Sequence, residues 1–388
     1  MTNIFSATTI ILSAATTSAL RLAVVSKIIV DTIEGRRRLG GGGVQAAVGA
    51  MLAVPSLETS LHAPVGADFD FAMLSPSLAT EHDVDVSTVT PLPQVATTPG
   101  ELISYDGPDD KMCFTPVGWD GWPQLCEWVP QLAGAPYDAL HVIVEGAGGG
   151  EVEAALGAMA AASSLLSVEP VMHRVSANSV DGLARLTRLA SVVSPDLSTA
   201  ACIGGVHSSR AAAEGATEAA PGGVTGASGA AADAELELRP ADAVSELTSI
   251  RSGENELRRL SSACFDALRM QPGAILAIRD GERGSYVYTR PYPLRSQPAE
   301  STGEEDWFIT VPAVTLEVVA DPTGAGNAYA AAFCAQLAAG AEVRRAAAVA
   351  SAVGAAFCRA TDWAPSDVDE ARGWVRSESE QLWGVLTA

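Results

Sequence analysis

The sequence predicts an α/β protein built on a doubly wound, mainly parallel sheet flanked by helices. Short apolar, β-branched runs such as Leu22–Val30 and Leu140–Val144 read as strands buried on both faces. Ala-rich stretches of helical length follow them, so that strand and helix alternate along the chain. Glycines gather where strand gives way to helix, at Gly40–Gly43, Gly146–Gly150 and Gly324–Gly326. In open α/β sheets that end of the strands is where ligands collect.

Residues 1–20 carry no charge and are rich in Ser, Thr, Ala and Ile. They lack the basic start of a secretory leader and have too many hydroxyls for a membrane span, so they read as an N-terminal extension or an organelle leader. Leu22–Val30 reads as the first buried strand, with Asp31 at its C-terminal end, a turn cap or a ligand-binding acid. Gly35–Gly43 then reads as a basic, glycine-rich connection, and the following VQAAVGAMLAV as a helix. Leu102–Tyr105 and Met112–Phe114 flank Asp106-Gly107-Pro108-Asp109, a turn sequence, and predict a hairpin. Leu140–Val144 is a buried strand before Gly146–Gly150. Ser191–Ser194 is a short strand ending at Pro195-Asp196.

Residues 211–232 are Ala/Gly/Ser/Thr-rich with few large apolar side chains, and are expected to form a flexible insertion. Ser245–Arg269 reads as helix, and Ala274–Ile278 as a strand that turns through Gly281–Gly284 into SYVYT. Val311–Val319 leads to DPTGAGN and an Ala-rich helix ending near Gly340; a further buried helix spans Val343–Ala360.

The composition bounds the function. The 388 residues include 24 Lys plus Arg against 46 Asp plus Glu, a net charge of −22. Such a surface opposes sequence-independent binding to nucleic acid, where affinity comes from neutralising phosphates. A local anion pocket is still allowed. The six cysteines and five histidines are scattered without zinc spacing, which points to a reducing compartment and away from a metal cluster.

The sharpest feature is Asp321-Pro322-Thr323-Gly324-Ala325-Gly326-Asn327 immediately before a helix. Two glycines around Ala325 bring consecutive N–H groups to the helix N-terminus, an anion hole by its donors and its dipole. This segment resembles the C-terminal D-T-T-G-A-G-D signature of the ribokinase/pfkB carbohydrate-kinase family. Gly40–Gly43 with Gln45, Ala63–Asp68, Ser194-Pro195-Asp196 and Arg279–Gly284 are similar to that family's other motifs, in order from Leu22 onward. The fungal maintenance-of-killer-like branch is the most similar.

The resemblance implies a ribokinase-like domain over residues 21–388, with a reduced β lid from about 31–40 and 97–116. It implies transfer of the ATP γ-phosphoryl group to a hydroxyl of a small sugar or polyol, with Mg²⁺ on the phosphates and K⁺ near Asp321 and Thr323 in some relatives. Gly324, Ala325 and Gly326 would form the anion hole, and Asn327 occupies the position of the usual Asp base. Asp31, Gly41, Gly42 and Gln45 would contact the acceptor, and Asp196, Arg279, Gly281, Gly284 and Thr323 the nucleotide. No metal ligand is assigned.

The chain departs from the pattern at Asn327, which cannot accept a proton, and at Thr199, where the family's N-x-x-E element has Glu. Gln45 replaces a usual Asn. These departures imply either weakened transfer or a catalytically inactive pseudokinase that binds nucleotide or sugar as a regulatory or assembly subunit. An NAD enzyme using Gly146–Gly150 is disfavoured, because that run lacks the G-x-G-x-x-G spacing. The expected setting is a cytoplasmic monomer or homodimer without nucleic-acid or membrane partners, or an organelle if residues 1–20 are a leader.

Overall fold

The computed structural model describes residues 19–33, 36–74, 78–79, 81–92, 99–103, 113–114, 137–145, most of 153–161, 163–171, 175–205, 250–251, 253–291 and 306–388. Its strands are β1 (Arg21–Val25), β2 (Ile29–Ile33), β3 (Arg36–Gly40), β4 (Glu58–His62), β5 (Pro64–Gly66), β6 (Val84–Asp85), β7 (Thr90–Leu92), β8 (Pro99–Ile103) and β9 (Cys113–Phe114). They continue with β10 (Ala139–Glu145), β11 (Leu165–Val171), β12 (Val192–Val193), β13 (Ile275–Arg279), β14 (Ser285–Thr289) and β15 (Trp307–Val311). The helices are α1 (Gly42–Ala53), α2 (Ala177–Thr187), α3 (Glu254–Ala267), α4 (Ala325–Ala338), α5 (Val343–Arg359) and α6 (Val368–Thr387), with a further helical turn series over 197–205.

Strand β1 shows how apolar sequence becomes layered structure. Leu22, Ala23, Val24 and Val25 are all fully buried, because β1 lies between β10 and β4 and is covered on both faces. Alternate side chains enter different cores. Leu22 and Val24 join the core under α1, α4, α5 and α6, whereas Ala23 and Val25 join the one under α2 and α3. The sheet has nine strands in the order β15-β14-β13-β12-β11-β10-β1-β4-β6. It is parallel from β13 to β6, and β14 and β15 add antiparallel at one edge.

A second sheet, in the order β3-β2-β8-β9, stands apart from the first. Its β8–β9 pairing sets Leu102 opposite Phe114, as the turn sequence between them predicts. A short parallel pair, β5 with β7, completes the strands.

Several sequence expectations need correction. Leu22–Val30 is not one strand: the chain leaves the main sheet over residues 26–28 and re-enters β structure as β2. Asp31 therefore lies within β2, opposite Arg38, and not at the end of the first buried strand. Arg36–Gly40 forms β3, paired along its length with β2, in the stretch where the resemblance implies part of a β lid. Helix α3 starts at Glu254, because Gly253 is extended (φ −155°). Beyond Val311 the chain has no regular structure until α4. Helix α6, which the sequence reading omitted, turns Ala371, Val375 and Leu382 inward. The runs 146–150 and 211–232 and residues 1–18 lie outside the described residues.

Buried histidines tie this fold to pH. His62 is packed edge-on against Tyr137, whose hydroxyl is 3.0 Å from Nε2; burial pushes its pKa down to about 4, against a smaller opposing effect of Asp85. His82 packs on Trp363 and is also pushed down to about 4, by burial and then by Arg372. Both values lie below the ordinary 6.5, so the stabilising effect is complete above pH 6.5 and is lost as pH falls towards 4. The loss is at most about 3 kcal/mol per residue. Denaturant unfolding at steps from pH 7 to pH 4 should show stability falling over this window, and His82→Gln should flatten the slope. An unchanged slope in the variant would refute the assignment.

Candidate active site

The site is organised around the N-terminus of α4. Its N-cap, Gly324, is left-handed (φ 80°, ψ −9°), and no side chain caps the helix. The first helical bond runs from Ala328 N to Gly324 O (2.9 Å), so the amides of Gly326 and Asn327 precede the ladder. They give this end of α4 its donors and its partial positive charge. The approach to the helix is fixed from below. Cys358 O accepts from Ala320 N (2.8 Å) and Asp321 N (3.4 Å), and Asp321 Oδ1 accepts from Thr323 N at 2.8 Å.

Helix α1 forms one wall. Its Gly42 faces Asn327 so closely that an added Cβ would lie 3.1 Å from Asn327 Nδ2. Asn327 Nδ2 donates a long hydrogen bond to Gln45 Oε1 (3.4 Å). A Cβ on Gly324 would be 2.3 Å from Gln45 Cγ. Four residues predicted from the sequence, Gly42, Gln45, Gly324 and Asn327, thus meet across a wide separation in the chain. Gly41 packs on the backbone of Lys27 and Ile29, where the chain leaves β1 for the second sheet. Asp31 is placed only by its backbone, in that second sheet.

On the other side of α4 opens a cleft of about 910 Å³, within the size range of small-molecule sites. Asp196, Arg279, Gly281, Gly284, Ala325 and Gly326 all line it. Thr323 is not among its lining residues; it serves the turn before α4. Arg251 and Arg283 bring two further guanidinium groups to the cleft. Gly284 allows the β13–β14 connection: its φ is +97°, and a Cβ there would stand 2.0 Å from Val311 O.

Two of the acids that line the cleft, Asp280 and Asp196, are committed to neighbours, and Glu282 is exposed there. Asp280 is buried and accepts from Arg251 Nε (3.1 Å) and Tyr286 Oη (2.9 Å). Burial, followed by Asp280, pushes the Tyr286 phenol up to about 12. Asp196 caps the helical segment over 197–205: it accepts from Ser198 Oγ, from Thr199 N (3.0 Å) and from Thr199 Oγ1 (2.8 Å). The position where the resembled family carries Glu is therefore a capping partner of Asp196. Cys358 also lines the cleft, and burial, with a smaller effect of Asp321, pushes its thiol up to about 11, well away from a reactive thiolate.

Mg²⁺ needs one or two carboxylates besides phosphate oxygens and water. Asp280 is held by Arg251 and Tyr286, and Asp196 by its cap, so these acids do not fit a protein-held metal ion. Among the described residues no group of three His, Cys, Asp or Glu converges as a metal site. For K⁺, the Asp321 carboxylate is already engaged by the Thr323 amide.

Sequence reasoning missed Arg251, which lies shortly before helix α3 and carries no motif. It also missed Glu169, a charge within the apolar strand β11, whose oddity was visible as a signal.

Fold and site together define a ribokinase-like α/β fold with an uncapped, glycine-started helix terminus beside a cleft. Residues 240–368 match the family model for pfkB family carbohydrate kinases, the stretch that holds β13, β14, the glycine loop and α4. The resemblance to the ribokinase/pfkB family holds there by sequence, and the fold holds over the chain. A nucleoside kinase of Burkholderia thailandensis, solved with inosine, is similar at 16% identity (TM-score 0.57), with 94% of this chain and 99% of that one covered. A ribokinase of Arabidopsis thaliana, solved with ribose and ATP, is 13% identical (TM-score 0.58; 92% and 99% covered). A ribokinase of Cryptococcus neoformans, solved with ADP, is 15% identical (TM-score 0.56; 94% and 100% covered). At these identities the likeness concerns the fold. No curated protein matches the chain. No described helix is long and apolar enough to cross a membrane.

The geometry of α1 against α4 gives a stability prediction. A Cβ at Gly49 would lie 2.5 Å from Ala328 O, a backbone atom that cannot rotate away. Gly49→Ala should destabilise the protein by about 1–3 kcal/mol through overpacking. A melting temperature equal to that of the natural protein would show that the two helices are not in contact at this point.

Proposed function

We propose that this chain is an ATP-dependent phosphotransferase acting on an alcohol group of a small sugar, free or within a nucleoside. The observation that carries the reading is the uncapped, glycine-started N-terminus of α4, set between a cleft lined by Arg251, Arg279 and Arg283 and the α1 wall, whose Gln45 meets Asn327 of α4. The ribose, ATP and inosine in the similar structures support the same substrate classes.

In this reading the nucleotide phosphates lie in the arginine-lined cleft with the transferring group at the α4 terminus. The Gly326 and Asn327 amides and the helix dipole would stabilise charge that grows on that group's oxygens. Gln45 and Asn327 would orient the acceptor hydroxyl by hydrogen bonds. Neither amide takes up its proton, so transfer would rest on positioning and charge stabilisation, without a general base from this wall. Asp31, Gly41 and Gly42 would belong to the acceptor side, and Asp196, Gly281, Gly284 and Thr323 to the nucleotide side or its support.

Asn327 and Thr199 favour a second reading, a pseudokinase that retains binding. One substitution separates the two. Asn327→Asp is nearly isosteric and can keep its partner, because Gln45 can turn its amide to donate. It should raise ATP turnover by about 10²–10⁴-fold, the usual worth of general-base catalysis. The assay compares both proteins on sugars, polyols and nucleosides. ATP binding with no turnover in either protein would support the pseudokinase. High turnover in the natural protein, unchanged by Asp, would mean that another group takes the proton.

A further inference from the structure

Beneath the α4 terminus lies a buried ionic cluster in which Arg279 meets two residues so far without a role, Glu169 and His141. Glu169 of β11 is fully buried. Its Oε1 lies 2.7 Å from Arg279 Nη1 and its Oε2 3.3 Å from His141 Nε2. His141 is itself fully buried and is joined through Nδ1 to Ser167 Oγ at 3.0 Å. An acid in such a place is costly unless it compensates a charge that has to be there. The charge it compensates is that of Arg279, whose guanidinium lies against the start of α4. A Cβ at Gly326 would be 2.5 Å from Arg279 Nη1. The guanidinium thus occupies the space beside Gly326.

The arrangement sets a guanidinium beside the positive end of a helix, a repulsion that the Glu169 carboxylate offsets. It is also not closed on itself. The Arg279–Glu169 approach is close but out of hydrogen-bond alignment. Arg279 Nε and both Glu169 oxygens are buried with no hydrogen-bond partner among the described residues. The backbone of Arg279 cannot shift easily, being bonded through N to Pro195 O (3.0 Å) and bridged to Asp196. Only the side chain is adjustable, and Glu169 is what holds it.

We propose that Glu169, supported by His141, is a positioning residue that holds the Arg279 guanidinium at the α4 terminus, so that the pair reads phosphate charge in the cleft. The inference rests on the nucleotide-binding reading above and adds to it the residue that orients the phosphate contact. Glu169 itself would touch no ligand. It would set where a charge-assisted hydrogen bond to phosphate forms.

Calorimetric titration with ATP and with adenosine tests this, because adenosine lacks the phosphates. If the natural protein binds neither, the nucleotide reading itself fails. If it binds ATP more tightly than adenosine, Glu169→Gln should cut the ATP-to-adenosine affinity ratio by about 10- to 100-fold, the worth of a hydrogen bond to a charged group. Adenosine affinity should be retained. Arg279→Gln should give the same loss, and the double variant no more than either single one, because Glu169 acts only through Arg279. Additive losses, or an unchanged ratio in folded Glu169→Gln, would overturn the proposal. Should removal of the buried carboxylate prevent folding, Glu169→Asp keeps the charge but draws the guanidinium back by one methylene. The ratio should then fall several-fold, and an unchanged ratio would equally overturn the proposal.

Discussion

The structure depends on the close approach of α1 and α4. Gly49 allows the two backbones to meet, with the carbonyl and Cα of Ala328 where a side chain would otherwise stand. On the far side of α4, Gly354 of α5 does a similar thing against Ala325 O, at 3.2 Å from its would-be Cβ. Helix α4 is thus clasped between two helices by small residues, and its buried face from Ala328 to Ala335 is mostly alanine. Close packing of this kind leaves little room for rotation or sliding. The helix terminus, with its fixed partial charge, is consequently held in one place relative to Gln45 on one side and Arg279 on the other.

Charge is arranged around that terminus in a way that the net composition conceals. The chain as a whole is strongly acidic, yet the cleft at α4 is lined by Arg251, Arg279 and Arg283. Two of them are countered by buried acids from the sheet, Arg251 by Asp280 and Arg279 by Glu169. Glu169 lies behind Arg279 outside the cleft lining, whereas Asp280 lines the cleft beside Arg251. The cleft thus sets three arginines beside three acids, and the pairing of Arg251 and Arg279 with buried carboxylates limits the cost of burying each charge.

The departures from the kinase pattern are accommodated as local hydrogen bonds. Thr199 gives both its amide and its hydroxyl to Asp196, and Asn327 reaches Gln45 across the α1–α4 gap. Each change replaces a carboxylate by a neutral group whose partner is present. The fold is thereby insulated from changes that bear on the chemistry.

What the sequence by itself determined was what local pattern can carry. The buried strands, the strand–glycine–helix handover at Gly324–Gly326 and the 102–114 hairpin are each written in a few consecutive residues. The β2–β3 hairpin was legible only through the family resemblance and not from local pattern, because Arg36-Arg37-Arg38 reads as a solvated run and only its pairing with β2 makes it a strand. Helix α6 was passed over because its inward residues are widely spaced among charges. Within the site, Gly42, Gln45, Gly324 and Asn327 could be named from the sequence, but only the α1–α4 crossing sets them together. The roles of Glu169, His141 and Arg251 were decided by tertiary structure alone. Their partners lie on other strands or across long stretches of chain, and an ion pair depends on distance in space, which residue spacing does not encode when the contact crosses a sheet.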